Sequence, residues 1–262
     1  MLSLPATVER VVRDLRDDIL RGRLRAGDRI PSERDLVERT GVNRGAVREG
    51  LRALAQLGLI EVQPRGAQVA PLNEASLDVL GHLLELDDLP DAELADQVLE
   101  VHGHMIAAAM RMALERGEDG QIELIRKQLA RISEHDLADD GYVRCIREFA
   151  RIVVDTSGNF VMSLVRQGIE LQFWDRLHEI DGLSVRIPQA RLLPIVSALD
   201  HAIDQRDVLT ASDLVLRLVR AHRDRIVELL QEEHAKQARA ALQEGLATSL
   251  LQHLRVLEEG KS

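Results

Sequence analysis

A single cysteine, Cys145, stands in 262 residues, so no internal disulfide can form and a reducing compartment is expected. Aromatic residues are nearly as scarce, at one Trp, one Tyr and three Phe. A core must therefore be built from Leu, Ile, Val and Ala. The 45% of apolar residues suffices for that, and such a composition favours helices over stacked sheets. No apolar run approaches the roughly 20 residues that span a bilayer, and the opening "MLSLPATVERVVRD" lacks the apolar stretch of a signal peptide. A soluble, cytoplasmic protein with no membrane partner is expected. Also missing are a Ser-His-Asp arrangement, a phosphate-binding glycine loop and an intact metal cluster, so an enzyme is not expected. The length admits one large domain or two modest ones.

What is present is unevenly distributed. The chain carries a net charge of -10, yet residues 1–71 hold 13 Arg, no Lys and 10 Asp plus Glu, a balance of +3. A mildly basic head on an acidic body points to the head as the part that approaches a polyanion. Within it, Val8, Val11, Val12, Leu15, Ile19 and Leu20 recur every three to four positions, the stripe of an amphipathic helix closed by Gly22. Ser32 is a good N-cap for a second helix, "ERDLVERT", which Gly41 stops. Asn43 caps a third, "RGAVREGLRALAQLG", ending at Gly58 with Val47, Leu51 and Leu54 inward. The runs "LIEV" and "AQVA", parted by "QPRG", read as a hairpin.

Three helices and a hairpin, with a short turn between helices two and three, describe a winged helix-turn-helix. A helix of this size fits the DNA major groove with its N-terminal residues nearest the base edges. Arg44 and Arg48 lie four apart on one face of that end, Arg34 is set to reach a phosphate, and Arg65-Gly66 at the hairpin tip to enter the minor groove. Arginine suits the task because its planar fork bonds guanine or phosphate bidentately. The competing reading makes these arginines a solvated face paired with Glu33, Asp35, Glu38 and Glu49.

The run "GDRIPSERDLVERTGVNRGAVREGLRALAQLGLIEVQPRGAQVA" closely resembles the N-terminal domain of the GntR family of bacterial transcription factors over about 65 residues. The resemblance implies DNA contacts at Arg34, Asn43, Arg44, Gly45, Arg48, Arg65 and Gly66. Asn43 replaces the family's usual Ser or Thr, and Gly45-Ala46 its "TP" or "TT" pair.

Beyond Pro71 every segment reads as helix. The expected spans are 74–86, 94–116, 119–138, 142–159, 160–180, 190–207 and 210–237, with an all-helical antiparallel bundle over 73–235. A C-terminal helical extension covers 236–262, in which Leu242, Leu246, Leu250, Leu254 and Leu257 form one stripe. That extension either continues the last helix or docks separately. The layout resembles the ligand-binding domain of the FadR-like (FCD) branch, which in many members holds a divalent metal with one Asp and three His. Here Ala150 and Val196 occupy two of the histidine places and only His222 survives, so no metal cofactor is expected, because such a site needs three or four converging donors. His102 and His104 point to different sides of a helix and, like "HDLADDG" at 135–141, are read as surface features. Cys145 reads as a buried small residue, and His178 and His201 as solvated or satisfied side chains. Met105, Phe149, Met162, Phe173 and Trp174 stand near the bundle centre as core or as pocket lining.

The resemblance implies a homodimeric regulator on near-palindromic operator DNA. Its affinity would be modulated by a small effector, an organic acid or acyl-type ligand, near His102, Met105, Phe149, Trp174 and His222. The alternative is a DNA-binding dimer whose body has lost metal and effector sensing and serves dimerisation or protein contact.

Overall fold

In the first helix, α1 (Ala6–Leu20), Val8, Val11, Val12, Leu15 and Ile19 share one face, and all five are buried. A computed structural model of the protein describes residues 6–64, 66–87, 89–134, 137–174 and 184–259, with side chains as far as 243. Its contacts divide the chain into two units, Met1–Asp88 and Leu89–Ser262.

In the first unit, α2 (Glu33–Thr40) begins at Ser32, whose hydroxyl accepts the Asp35 amide while the Asp35 carboxylate reaches back, a full capping box. Gly41 ends it in the left-handed conformation, φ 71°, which a residue bearing a Cβ adopts at a cost. α3 (Arg44–Gln56) presses Val47 and Leu54 into the core, while Leu51 is half-buried. It approaches α1 closely at Gly50, where a Cβ would lie 3.2 Å from Val11 Cγ1. The hairpin pairs β1 (Ile60–Gln63) with β2 (Gly66–Val69) antiparallel, Ile60 opposite Val69 and Gln63 opposite Gly66. The segment before α2 adds to it through Ile30 N–H donating to Ala67 C=O at 2.9 Å.

The unit does not stop at the wing. A 3-10 turn (Leu72–Glu74) and a short α4 (Val79–Leu84) follow, where one helix over 74–86 was expected. The Ser76 amide donates to Leu57 C=O at 2.9 Å and holds the chain in a turn there. Val79 joins the head core, and Arg16 meets His82 at 3.0 Å. Residues 73–87 thus belong with the head, past the boundary expected at 72.

The second unit is a helical bundle. α5 (Ala92–Arg116) and the longest helix, here α10 (Val208–Glu259), run antiparallel. Arg223 bonds Asp96 at 2.5 and 2.7 Å, a Cβ on Gly103 would meet Val219 at 3.0 Å, and Ser212 Oγ donates to Ala107 C=O at 3.1 Å. Around this pair stand α6 (Asp119–Ile132), α7 (Asp139–Thr156), α8 (Phe160–Ile169) and α9 (Gln189–Asp204). Arg126 joins α6 to α9 through Asp200 at 2.9 Å and Asp204 at 2.6 Å.

Two expected helices are shorter than their apolar patterns. α6 ends at Ile132 rather than 138, and α8 gives way at Glu170 to a π-helical turn, Glu170–Trp174. The extension at 236–262 continues α10 without a break through Glu259. Among the described residues, no helix is long and apolar enough to cross a membrane.

Candidate functional site

α3 starts from a residue that both ends a turn and caps the helix. Asn43 is extended (φ -73°, ψ 160°), and its Oδ1 accepts the Ala46 amide at 2.9 Å. A Cβ on Gly45 would sit 3.1 Å from that oxygen, so the glycine leaves room for a longer cap than serine. With Val47 at 0% exposure locked into the core, the rotation of the helix is set and Arg44 and Arg48 both face solvent.

Their states differ. Arg44 makes no ion pair among the described residues. Arg48 is bridged to Glu33 on α2, Nε lying 2.9 and 3.0 Å from the two carboxylate oxygens, and this partner raises its pKa. Arg34 lies 3.9 Å from Asp35 and from Glu38. The solvated-face reading thus holds for Arg34 and Arg48 in this structure, though both pairs are exposed and readily exchanged for phosphate. The Asp35 carboxyl is held below its usual range first by the Ser32 hydroxyl. Gly66 (φ 134°) opens β2 with no atom within 4 Å of a built Cβ, so backbone can approach a ligand closely there. Arg65 lies outside the described residues. Asn43, Arg44, Gly45 and Arg48 therefore converge at one helix end, with Arg34 on the adjoining helix.

In the body, His102, Phe149, Trp174 and His222 line one cavity with Leu99 and Ile106. Met105 does not, being turned aside from the Leu99–His102–Ile106 face, and Met162 and Phe173 are also absent from the lining. His102 is buried, a correction to its reading as a surface residue. α5 is covered by α10 on one side and α7 on another, so a position two residues from exposed His104 still lies inside. Burial, with Arg166 adding, pushes its pKa down to about 4, and its Nδ1 has no partner. The cavity encloses ≈ 30 Å³, room for about two waters rather than an organic ligand.

His222 is occupied on both ring nitrogens, Nε2 by the Tyr142 hydroxyl at 2.9 Å and Nδ1 by Leu218 C=O at 2.9 Å. Ala150 and Val196 carry no donor atoms, so with His222 they would supply one ligand of the three or four that the metal implied by the family resemblance needs. Burial pushes the His222 pKa down to about 4 and Tyr142 up to about 12. Cys145 is buried and His201 exposed, as expected, while His178 and part of "HDLADDG" fall outside the described residues. A second opening in the body, which no sequence motif announces, is an arginine-lined cleft of ≈ 610 Å³ beside α7.

Comparison with known proteins bears on the head first. Residues 7–69 match the family of bacterial regulatory proteins, gntR family. The chain is similar to the HTH-type transcriptional regulator Mce2R of Mycobacterium tuberculosis, 33% identical over 163 residues, which are 60% of this chain and 66% of that one. A second HTH-type transcriptional regulator of Mycobacterium tuberculosis is 28% identical over 234 residues, covering 83% and 91%. The solved structure of Streptococcus agalactiae GntR aligns over 83% of this chain and 99% of that chain, at 24% identity and a TM-score of 0.44. Its capped and core-anchored α3, its wing and the match over residues 7–69 make this chain a member of the gntR family of bacterial regulatory proteins.

Proposed function

We propose that the chain is a DNA-binding transcriptional regulator. In this reading it acts as a homodimer that lays two copies of α3 on the half-sites of a near-palindromic operator, and a small-molecule effector in the helical body modulates its affinity. The observation that carries the reading is Arg44. It is a guanidinium on the first turn of a helix whose cap and core contacts fix its rotation, exposed and without an ion-pair partner among the described residues. Arg48 on the same face exchanges Glu33 for DNA. Arg34 and Gly66 supply phosphate and minor-groove contacts on either side, with Arg65 at the wing tip.

The second copy follows from two-fold symmetry, since one chain offers one reading helix and a palindromic site asks for two. α10 from residue 237 to 243 is exposed throughout and free to meet a partner. The body works without a resident metal, as the saturated imidazole of His222 supports.

The test begins with duplexes selected from a random library by the full chain. Arg44→Ala and Arg48→Ala are each expected to weaken binding to the selected site by about tenfold or more and to leave the melting temperature unchanged. Unaltered affinity in both variants would remove the assigned roles. The small volume of that cavity, ≈ 30 Å³, favours a second reading, in which the body only dimerises or contacts another protein.

A further inference from the structure

The acidic body concentrates arginine at one place. Arg131 of α6 and Arg144, Arg147 and Arg151 of α7 line an open cleft of ≈ 610 Å³, a size that holds small organic ligands. Arg166 of α8 stands behind them, buried, with its Nε unpartnered. Glu170 is clasped by Arg147 at 2.9 Å and by Arg166, and Glu148 and Asp155 are both taken by Arg151 at 2.6 and 2.7 Å. Among the described residues, these three carboxylates thus pair with Arg147, Arg151 and Arg166. Arg131 and Arg144 are exposed and make no ion pair among the described residues. The Glu148 carboxyl is held below its usual range first by Arg151, with Arg166 and Arg131 contributing, so one field joins the rim to the interior.

Two exposed guanidiniums, Arg131 and Arg144, thus stand without an ion pair among the described residues at the rim of a cavity of ligand size. We propose that this cleft binds a small phosphorylated molecule, its phosphoryl oxygens held by Arg131 and Arg144 with Arg147 at the inner end. Phosphate suits the arrangement because each guanidinium fork bonds two of its oxygens, and a dianion matches the two charges of Arg131 and Arg144.

The cleft has a built connection to the bundle interior. Arg147 and Glu170 line both the cleft and a smaller adjoining cavity that reaches His102 and Trp174. Glu170 opens the π-helical turn that ends at Trp174. Turns of this kind are uncommon and recur at functional sites. A phosphoryl group competing with Glu170 for Arg147 loosens the first residue of that turn, and the last residue lies against the inner cavity. As a binding site the cleft is independent of the head; as the place where an effector acts, it rests on the reading above.

The test is isothermal titration of the full chain with sodium pyrophosphate at constant ionic strength, repeated in Arg44→Ala/Arg48→Ala and in Arg131→Gln/Arg144→Gln. One saturable site is expected, kept in the head variant and weakened by about tenfold or more in the cleft variant, the worth of one charge-assisted hydrogen bond. Absence of saturable heat, loss of binding in the head variant alone, or equal binding of tricarballylate overturns the assignment. Binding of a selected DNA duplex with and without pyrophosphate is read separately. A cleft that binds pyrophosphate without changing DNA affinity keeps the site and rejects its control of the head.

Discussion

His102 shows at the scale of one residue how a sequence can mislead. Its neighbours in the chain, Val101 and His104, are exposed, and the helical pattern alone gives it no clear side. Burial between α5, α7 and α10 makes it a neutral imidazole, with Arg166 and Glu170 the charged groups that act on it, and leaves Nδ1 without a partner. An imidazole with a folded-state pKa of about 4 and an unfolded value of 6.5 takes up protons on unfolding once the pH drops below 6.5. Its contribution to stability is therefore intact above pH 6.5 and is lost as the pH falls to about 4, on the order of 3 kcal/mol at most. His222 adds a second loss over the same window. Replacing His102 by leucine removes one of the two and sacrifices no hydrogen bond at Nδ1. Denaturant unfolding of His102→Leu is expected to give stability equal to or above the parent at pH 7.5, and about half the loss between pH 6.5 and 4. An unchanged pH profile would show that the imidazole is not held neutral by burial.

The elements of the head were legible because each carries its own punctuation. Ser32 with Asp35, Gly41 with its left-handed backbone, and Asn43 before an apolar stripe fix α2 and α3 to within a residue or two. The body lacked such marks. Nothing local announces that the helix through Phe160 turns π-helical at Glu170, or that α4 shrinks to six residues, since both follow from what the segments pack against. The arginine cleft escaped notice for the same reason, its members being spread over two helices with ordinary spacing. Asn43 and Gly45 form a local unit whose two departures from the resembled family pattern share one steric explanation. A Cβ at 45 stands 3.1 Å from the capping Oδ1, whereas a shorter serine cap leaves that space open. Asn43→Ser is thus expected to cost only a few tenths of a kcal/mol and Asn43→Ala about 1 kcal/mol. Gly45→Ala should stabilise the Asn43→Ser protein by up to about 1 kcal/mol and the parent by less. Thermal unfolding of the four-member cycle measures the difference, and strict additivity would show that cap and glycine are independent.

At the scale of the whole molecule, the reach of α10 beyond the bundle is the feature that a single chain leaves unexplained. As far as residue 243, its last buried residues are Leu229 and Leu230, yet the helix runs on to Glu259. A lone helix of that length is marginal in water. The sequence of the extension is self-complementary about Thr248: Leu242 mirrors Leu254, and Leu246 mirrors Leu250. In the homodimer proposed above, two extensions aligned antiparallel about that centre would match their apolar stripes in sequence register. In sequence that register matches the basic end at Lys236 and Arg239 of one copy with the acidic end at Glu258 and Glu259 of the other, whereas a parallel alignment would match like charges. Removal of residues 236–262 is therefore expected to weaken the proposed dimer by at least about tenfold in sedimentation equilibrium, and DNA affinity with it. Charge reversal separates the two pairings. Glu258→Lys/Glu259→Lys should weaken the dimer, and adding Lys236→Glu/Arg239→Glu should restore it, because only the antiparallel register faces those two ends to each other. A truncated chain as tightly dimeric as the parent would move the two-fold contact onto the bundle and leave the extension without a role in assembly.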